Sequence, residues 1–273
     1  MKKWQLAALA ALTAVTLTVV VPASAITNGQ PDGNAHPYVG LVVFDVVNDE
    51  GDQVPSHRCS GSLLTPTVFL TAGHCTDGTV AARVWFDEIV QGNPEYPFSG
   101  ATSYDGTPHT NPDFCIGCGP GLPGFAIRDV GVVVLTEPVP IAAVSQYAQL
   151  PAAGLVDTLA NKTPVTLVGY GVQTQLHGGG IPVWTGPRVR LQAPSELVSG
   201  KFKHSEEFTR IALNPGGGSG GTCFGDSGGP DLLGTSNTVL SVNSYVTNSN
   251  CTGVGYSSRV DIPEVLSWIV GFM

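Results

Sequence analysis

The chain has 273 residues, 42% of them hydrophobic, with 12 basic against 21 acidic side chains and a formal net charge of −9. That length supports one large or two modest domains with a real core. The acidic balance excludes a nucleic-acid-binding surface and a polybasic membrane anchor, because both need clustered cations.

Residues 1–25 read as a secretory signal: Lys2 and Lys3, an apolar stretch from Leu6 to Val21, and Ala23-Ser24-Ala25 as a small-residue cleavage site. The apolar run is short for a membrane span and ends at a cleavage pattern, so a retained anchor is the weaker reading. Cleavage takes the basic count from 12 to 10 against an unchanged 21 acids, leaving −11 on a secreted chain with no membrane association. Beyond the signal, 35 glycines and 21 prolines break the sequence into short apolar runs: Val39–Val47, Val68–Ala72, Val130–Leu135, Val165–Val168 and Val239–Val242. Short β-branched runs between turn residues predict an all-β barrel or sandwich.

Two segments read as helical. One is an Ala/Gln stretch over Ile141–Gln149; the other is Pro263–Val270, where Asp261 is placed to cap and Val265, Leu266, Trp268 and Ile269 supply an apolar face. Pro138, Pro140 and Pro151 mark a linker, and Asn214–Gly221 is a glycine-rich loop. No internal repeat is visible.

The chemistry sits in three motifs: Thr71-Ala72-Gly73-His74-Cys75, an aspartate opening the run Asp129–Leu135, and Gly225-Asp226-Ser227-Gly228-Gly229-Pro230. A serine hydroxyl needs a base to become a nucleophile at neutral pH, and imidazole has the right pKa to take the proton and return it. His74, Asp129 and Ser227 are the candidate set. Gly225-x-Ser227-x-Gly229 also fits the nucleophile elbow of α/β-hydrolases, but their histidine follows the serine and here all six histidines precede it. The subtilisin order needs an acid in a matching motif before His74, and none of Asp32, Asp45, Asp49 and Asp52 sits in one. His36, His57, His109, His177 and His204 read as ordinary structural or surface residues.

The chain resembles the chymotrypsin/trypsin family of secreted serine proteases. The resemblance rests on five blocks in order: Ile26-Thr27-Asn28-Gly29 with Pro37, Cys59–Leu64 leading into Thr71–Cys75, the Asp129 run, Val168-Gly169-Tyr170-Gly171, and Thr222–Pro230 with Ser244-Tyr245 and Cys251. It implies an all-β fold of two antiparallel β-barrels with a C-terminal helix. The first barrel would span 26–140 and carry His74 and Asp129. A linker over 141–163 would lead to a second barrel over 164–273, carrying Ser227 and closed by a helix at 262–271.

By the same resemblance, Asp129 orients His74, and the backbone N–H groups of Gly225 and Ser227 form the oxyanion hole. A new N-terminal amine at Ile26 would pair with Asp226; because Ala25-Ile26 is also the signal cleavage site, export alone would generate it. Trypsin-like members carry an aspartate six residues before the serine, where this chain has Gly221, so cleavage after Lys or Arg is not expected. Ser244, Tyr245, Val246 and Val254 complete a shallow pocket for small aliphatic side chains, with an aromatic preference as runner-up.

Six cysteines in an exported chain favour disulfides. The resemblance implies Cys59–Cys75 and Cys223–Cys251, leaving Cys115 with Cys118. That last pair reads as a local disulfide, with a redox pair or half a metal site beside His109 and Asp113 as alternatives. Asp87, Glu88 and Glu95 read as acidic surface before they read as calcium ligands. The expected partner is a peptide or protein substrate, with no nucleic acid, no metal, no cofactor and a monomeric state. An exported esterase on the same fold and a catalytically silent binding protein are the competing functions. Two departures stand out: no cysteine occurs between Gly119 and Thr222, and residues 92–124 form an insertion before Asp129.

Overall fold

The computed structural model describes residues 26, 28–118, 125–172, 174–176, 183–198, 205–214 and 220–273. The expected signal at 1–25, His177, His204 and most of the glycine-rich loop lie outside them. Six strands close into an antiparallel barrel, in the order Val39–Val47, Gln53–Thr65, Val68–Thr71, Gly131–Leu135, Ser103–Thr110 and Ala81–Trp85. The first pair runs in register from Val39 opposite Ser62 to Val47 opposite Gln53, with a bulge between Phe44 and Asp45. Closure removes the free edges that such valine-rich strands would otherwise expose. Leu41, Phe69, Leu70, Val84 and Trp85 are fully buried on the two faces of these strands, the aliphatic and Phe side chains each stabilising by roughly 1.5–3 kcal/mol relative to exposure.

Ser103–Thr110 falls within the stretch that reads as an insertion, yet it is a barrel strand, pairing with Ala81–Trp85 on one side and Gly131–Leu135 on the other. Its sequence, Ser-Tyr-Asp-Gly-Thr-Pro-His-Thr, has no run of β-branched apolar residues to announce it.

The second sheet has seven strands, in the order Gln30–Pro31, Leu191–Glu196, Pro164–Gly169, Pro230–Leu233, Val239–Val246, Gly253–Arg259 and Phe208–Leu213. It curls until the segment that ends Leu191–Glu196, the second strand from one edge, reaches Phe208–Leu213 at the other. An isolated antiparallel bridge joins Leu197 to Ile211, Val198 N–H donates to Arg210 O at 2.8 Å, and Ser195 Oγ donates to Ala212 O at 2.6 Å. The fold is therefore all-β and chymotrypsin-like, with one closed barrel, one curled sheet and a short closing helix.

Two expectations of local structure are corrected. Ile141–Gln149 is not a helix: it opens with a turn in which Ala143 and Val144 N–H donate to Pro140 O and then crosses as a strap, with Ala148 N–H donating to Leu63 O at 2.9 Å and Gln149 N–H to Asn237 O at 2.9 Å. Backbone bonds to both sheets outweigh the modest helix propensity of Ala and Gln. The C-terminal helix Pro263–Val270 forms as expected, but Ile262 occupies the cap position and no side chain caps it. Asp261 is instead bound to the Arg259 guanidinium at 2.8 and 2.9 Å and to Val156 N–H at 2.8 Å.

Arg190, fully buried, ties the two sheets together. Standing just before the strand Leu191–Glu196, it donates to Val39 O and Phe86 O at 3.0 Å each, to Asp32 Oδ2 at 2.9 Å and to Asn34 Oδ1 at 2.6 Å. A buried guanidinium is tolerated only when its fan of donors is satisfied, as it is here. Among the described residues no helix is long and apolar enough to cross a membrane.

Candidate active site

His74 lies on a single helical turn, Gly73–Thr76, directly after the strand Val68–Thr71. Asp129 lies just before the strand Gly131–Leu135, which pairs with Val68–Thr71. Strand pairing therefore sets two residues distant in sequence side by side. Asp129 Oδ1 accepts the His74 backbone N–H at 2.7 Å, and Oδ2 meets His74 Nδ1 at 2.8 Å. A carboxylate only accepts, so Nδ1 carries the proton and Nε2 is left as the free lone pair of a base.

A third donor reaches the same carboxylate: Ser244 Oγ, at 2.5 Å from Asp129 Oδ2. The sequence places Ser244 only in the pocket wall. Its contact with Asp129 depends on the bulge between Asn243 and Tyr245 in the strand Val239–Val246, which no spacing rule marks. Asp129 is buried, which by itself raises its pKa, but the charge and hydrogen bond of His74, with Ser244 and the His74 backbone, bring it below the ordinary carboxylate value. For His74, burial pulls the pKa down, while the charge and hydrogen bond of Asp129 outweigh it and the ring ends above its ordinary value.

Ser227 comes from the second sheet, on a loop pressed against the first barrel. Ser60 N–H donates to Ser227 O at 2.8 Å, and Ser60 Oγ donates to Gly225 O at 2.9 Å. Gly228, at φ +76°, marks the closest approach: a Cβ there would lie 2.1 Å from Thr71 Oγ1 and 2.6 Å from Ala72 N. Gly225, at φ +92°, likewise takes a backbone conformation that favours glycine. Among the described residues, neither Gly225 N–H nor Ser227 N–H is donated to another backbone group, whereas Asp226 N–H, Gly228 N–H and Gly229 N–H are. Two such unspent donors, one of them the serine's own N–H, can hold a developing oxyanion.

His74 and Ser227 line one cavity of about 240 Å³ together with Thr222, Cys223, Phe224, Asn243, Ser244, Tyr245 and Val246. Gly221 and Val254 are not among these residues; Gly221 is buried and Val254 is paired with Ala212 across the sheet. No hydrogen bond joins Ser227 Oγ to the ring among the described residues, and His74 Nε2 lies 3.6 Å from Cys75 Sγ. Such bonds are often long in unliganded sites and close with substrate.

Ile26 is fully buried with Val165, Leu167, Leu191 and Ile211 in the core of the second sheet. In the unprocessed chain its nitrogen is an amide, and no ion pair joins it to Asp226. The Asp226 carboxylate instead accepts Gly171 N–H at 2.8 Å and Cys223 N–H at 2.9 Å. Burial pushes its pKa up to about 7, against the opposing pull of those two N–H groups and of the Arg58 charge.

All three disulfides form: Cys59–Cys75, Cys115–Cys118 and Cys223–Cys251. The first holds the His74 turn to the strand Gln53–Thr65. Cys115 and Cys118 are bonded to each other, as the local-disulfide reading expects, so neither sulfur is free here to hold a metal. Of the acidic trio, Glu95 Oε2 is taken by Ala101 N–H at 2.7 Å and Glu88 Oε1 by Gly33 N–H at 2.9 Å.

The family model Trypsin matches residues 29–269. Proproteinase E of Bos taurus is 28% identical over 220 residues, covering 77% of this chain and 78% of its own length. Chymotrypsin-like elastase family member 3B of Macaca mulatta is 26% identical over 243 residues, covering 84% and 86%. Among solved structures, the HL collagenase superposes with a TM-score of 0.62 at 20% identity, covering 86% of this chain and 93% of its own. Human heparin binding protein superposes with a TM-score of 0.59 at 15% identity, covering 89% and 94%. These last two likenesses speak to the fold alone. With a family match spanning nearly everything after the first 28 residues, the chain belongs to the trypsin family of chymotrypsin-like serine proteases.

Proposed function

We propose that this chain is a secreted serine endopeptidase in which Ser227 is the nucleophile, His74 the general base and Asp129 its orienting partner. The observation that carries the reading is the Asp129–His74 pair, which fixes the proton on Nδ1 and leaves Nε2 unprotonated in the cavity that Ser227 lines. Ser227 Oγ attacks the substrate carbonyl carbon and its proton passes to Nε2. The carbonyl oxygen becomes an oxyanion held by Gly225 N–H and Ser227 N–H. His74 then gives the proton to the leaving amine as the C–N bond breaks. Water, deprotonated by the same nitrogen, hydrolyses the acyl-enzyme.

Tyr245 and Val246 on the cavity wall support a preference for small aliphatic side chains before the cut. Aromatic side chains are the runner-up. Three disulfides suit an oxidising, extracellular compartment. Signal removal at Ala25 would free an ammonium at Ile26 for Asp226, a buried carboxylate now served by neutral donors alone at contact distance. A paired ammonium has its pKa raised above about 7.7–8.0, so its contribution is complete below that range and fades as pH rises through the folded value. Activity falls reversibly in alkali on this account, and acetylating the amine should lower activity at every pH and remove that limb.

The deciding experiment is labelling with a serine-directed organophosphonate, wild type against Ser227→Ala, alongside casein hydrolysis. Labelling lost in the variant, with casein cleaved by the wild type, supports the endopeptidase. Labelling without casein cleavage selects an esterase. No labelling selects a silent binding protein.

A further inference from the structure

Nearly every guanidinium in this acidic protein is spoken for. Arg83 is paired with Asp45, Arg128 with Glu207, Arg190 with Asp32 and Arg259 with Asp261. Arg188 lies over the Tyr96 ring and Arg210 over the Tyr256 ring. Arg58 is the exception: among the described residues no carboxylate lies within ion-pair distance of it and no aromatic ring lies beneath it. It is half-buried rather than free at a loop tip, and it is held in register on the strand Gln53–Thr65 opposite Val43.

Its position gives the exception a meaning. A Cβ built on Gly225 would lie 3.6 Å from Arg58 Nε, so the guanidinium flanks the glycine whose N–H faces the oxyanion site. Arg58 is absent from the cavity formed by Thr222–Phe224 and Ser244–Val246, which receives the acyl half of a substrate. It precedes Cys59, whose bond to Cys75 ties this strand to the His74 turn. The amine that His74 protonates leaves on the His74 side, so Arg58 stands where the chain beyond the cut must run.

Resting on the endopeptidase reading, we infer that Arg58 is a specificity-determining residue for the leaving half of the substrate, favouring an acidic side chain or a terminal carboxylate within two residues after the cut. Elsewhere the protein's negative charge repels such a group, so this guanidinium supplies a local exception. Its competing task would be to offset the Asp226 charge behind Gly225. That task would affect all substrates alike, whatever follows the scissile bond.

The test measures kcat/KM for peptides that differ only at the two positions after the cut, bearing Glu, Gln or Lys, each normalised to a 4-nitroanilide with no residue there. The wild type should favour Glu over Gln by about five-fold, the scale of a partly exposed ion pair. Arg58→Gln should abolish the preference, Arg58→Lys should keep part of it, and Arg58→Glu should turn it toward Lys. Equal wild-type rates for Glu and Lys, or a Glu preference surviving in Arg58→Gln, overturns the inference while leaving the endopeptidase standing. Wild type that cleaves neither peptides nor anilide overturns both.

Discussion

The closed barrel buries its carboxylates against cations, whereas the curled sheet pairs one, Asp261 with Arg259, and buries two others with no cation in contact. In the barrel, Asp45 lies against the Arg83 guanidinium and Asp129 against the His74 ring. In the sheet, Asp226 and Asp231 are fully buried with only neutral donors in contact: backbone N–H groups for Asp226, and Ser241 Oγ at 2.7 Å for Asp231. Burial pushes the Asp231 pKa up to about 6, against the opposing pull of the Ser257 and Ser241 hydroxyls. The half that supplies the base is electrostatically settled. In the half that supplies the nucleophile, burial raises the pKa of both Asp226 and Asp231, and the Arg58 charge offsets this only in part at Asp226.

The largest way to break this contrast is Asp129→Asn. His74 would lose the partner that fixes its tautomer, and kcat should fall about 10⁴-fold with the circular dichroism spectrum unchanged. Next comes Asp45→Asn, which strands a buried guanidinium. Denaturant titration should report a loss of about 3–5 kcal/mol.

Asp231→Asn should go the other way. Its folded pKa is raised, so the native state binds the extra proton and stability declines as pH climbs from the unfolded value near 3.8 through about 6. Above that window the ionised carboxyl costs roughly 3 kcal/mol. The Asn variant should therefore exceed wild type by up to that amount at pH 8, with the gap vanishing by pH 4. A variant less stable than wild type at pH 8 would remove the contrast between the two halves.

The smallest effect belongs to Ser244→Ala. Removing one charge-assisted hydrogen bond to Asp129 should lower kcat about tenfold. The acid limb of kcat/KM offers a companion check: because the His74 pKa is raised, the neutral base appears only above the ordinary value of about 6.5. An acid limb below that value would contradict the Asp129–His74 geometry. In stability terms the same pair contributes most below the unfolded histidine pKa and fades as pH rises through the folded one.

What could be read in advance followed from local chemistry. Val39–Val47, Val68–Thr71 and Gly131–Leu135 are strands because β-branched runs have few good alternatives, and the terminal helix shows its period. Ser103–Thr110 escaped because a strand rich in Ser, Thr and Pro is recruited by its two neighbours rather than by its own preference. The Ile141–Gln149 strap escaped for the converse reason, since distant carbonyls claimed its N–H groups.

By itself the sequence determined which residues carry reactive groups, their order along the chain and the β character of what lies between, since those follow from side-chain chemistry and short-range sterics. Tertiary structure alone decided that Ser244 would reach Asp129, that Asp261 would serve Arg259 instead of a helix end, and that Arg58 would stand beside Gly225. Each depends on strand register and loop approach across tens of residues, and a shift of one position in a sheet sends a side chain to the opposite face.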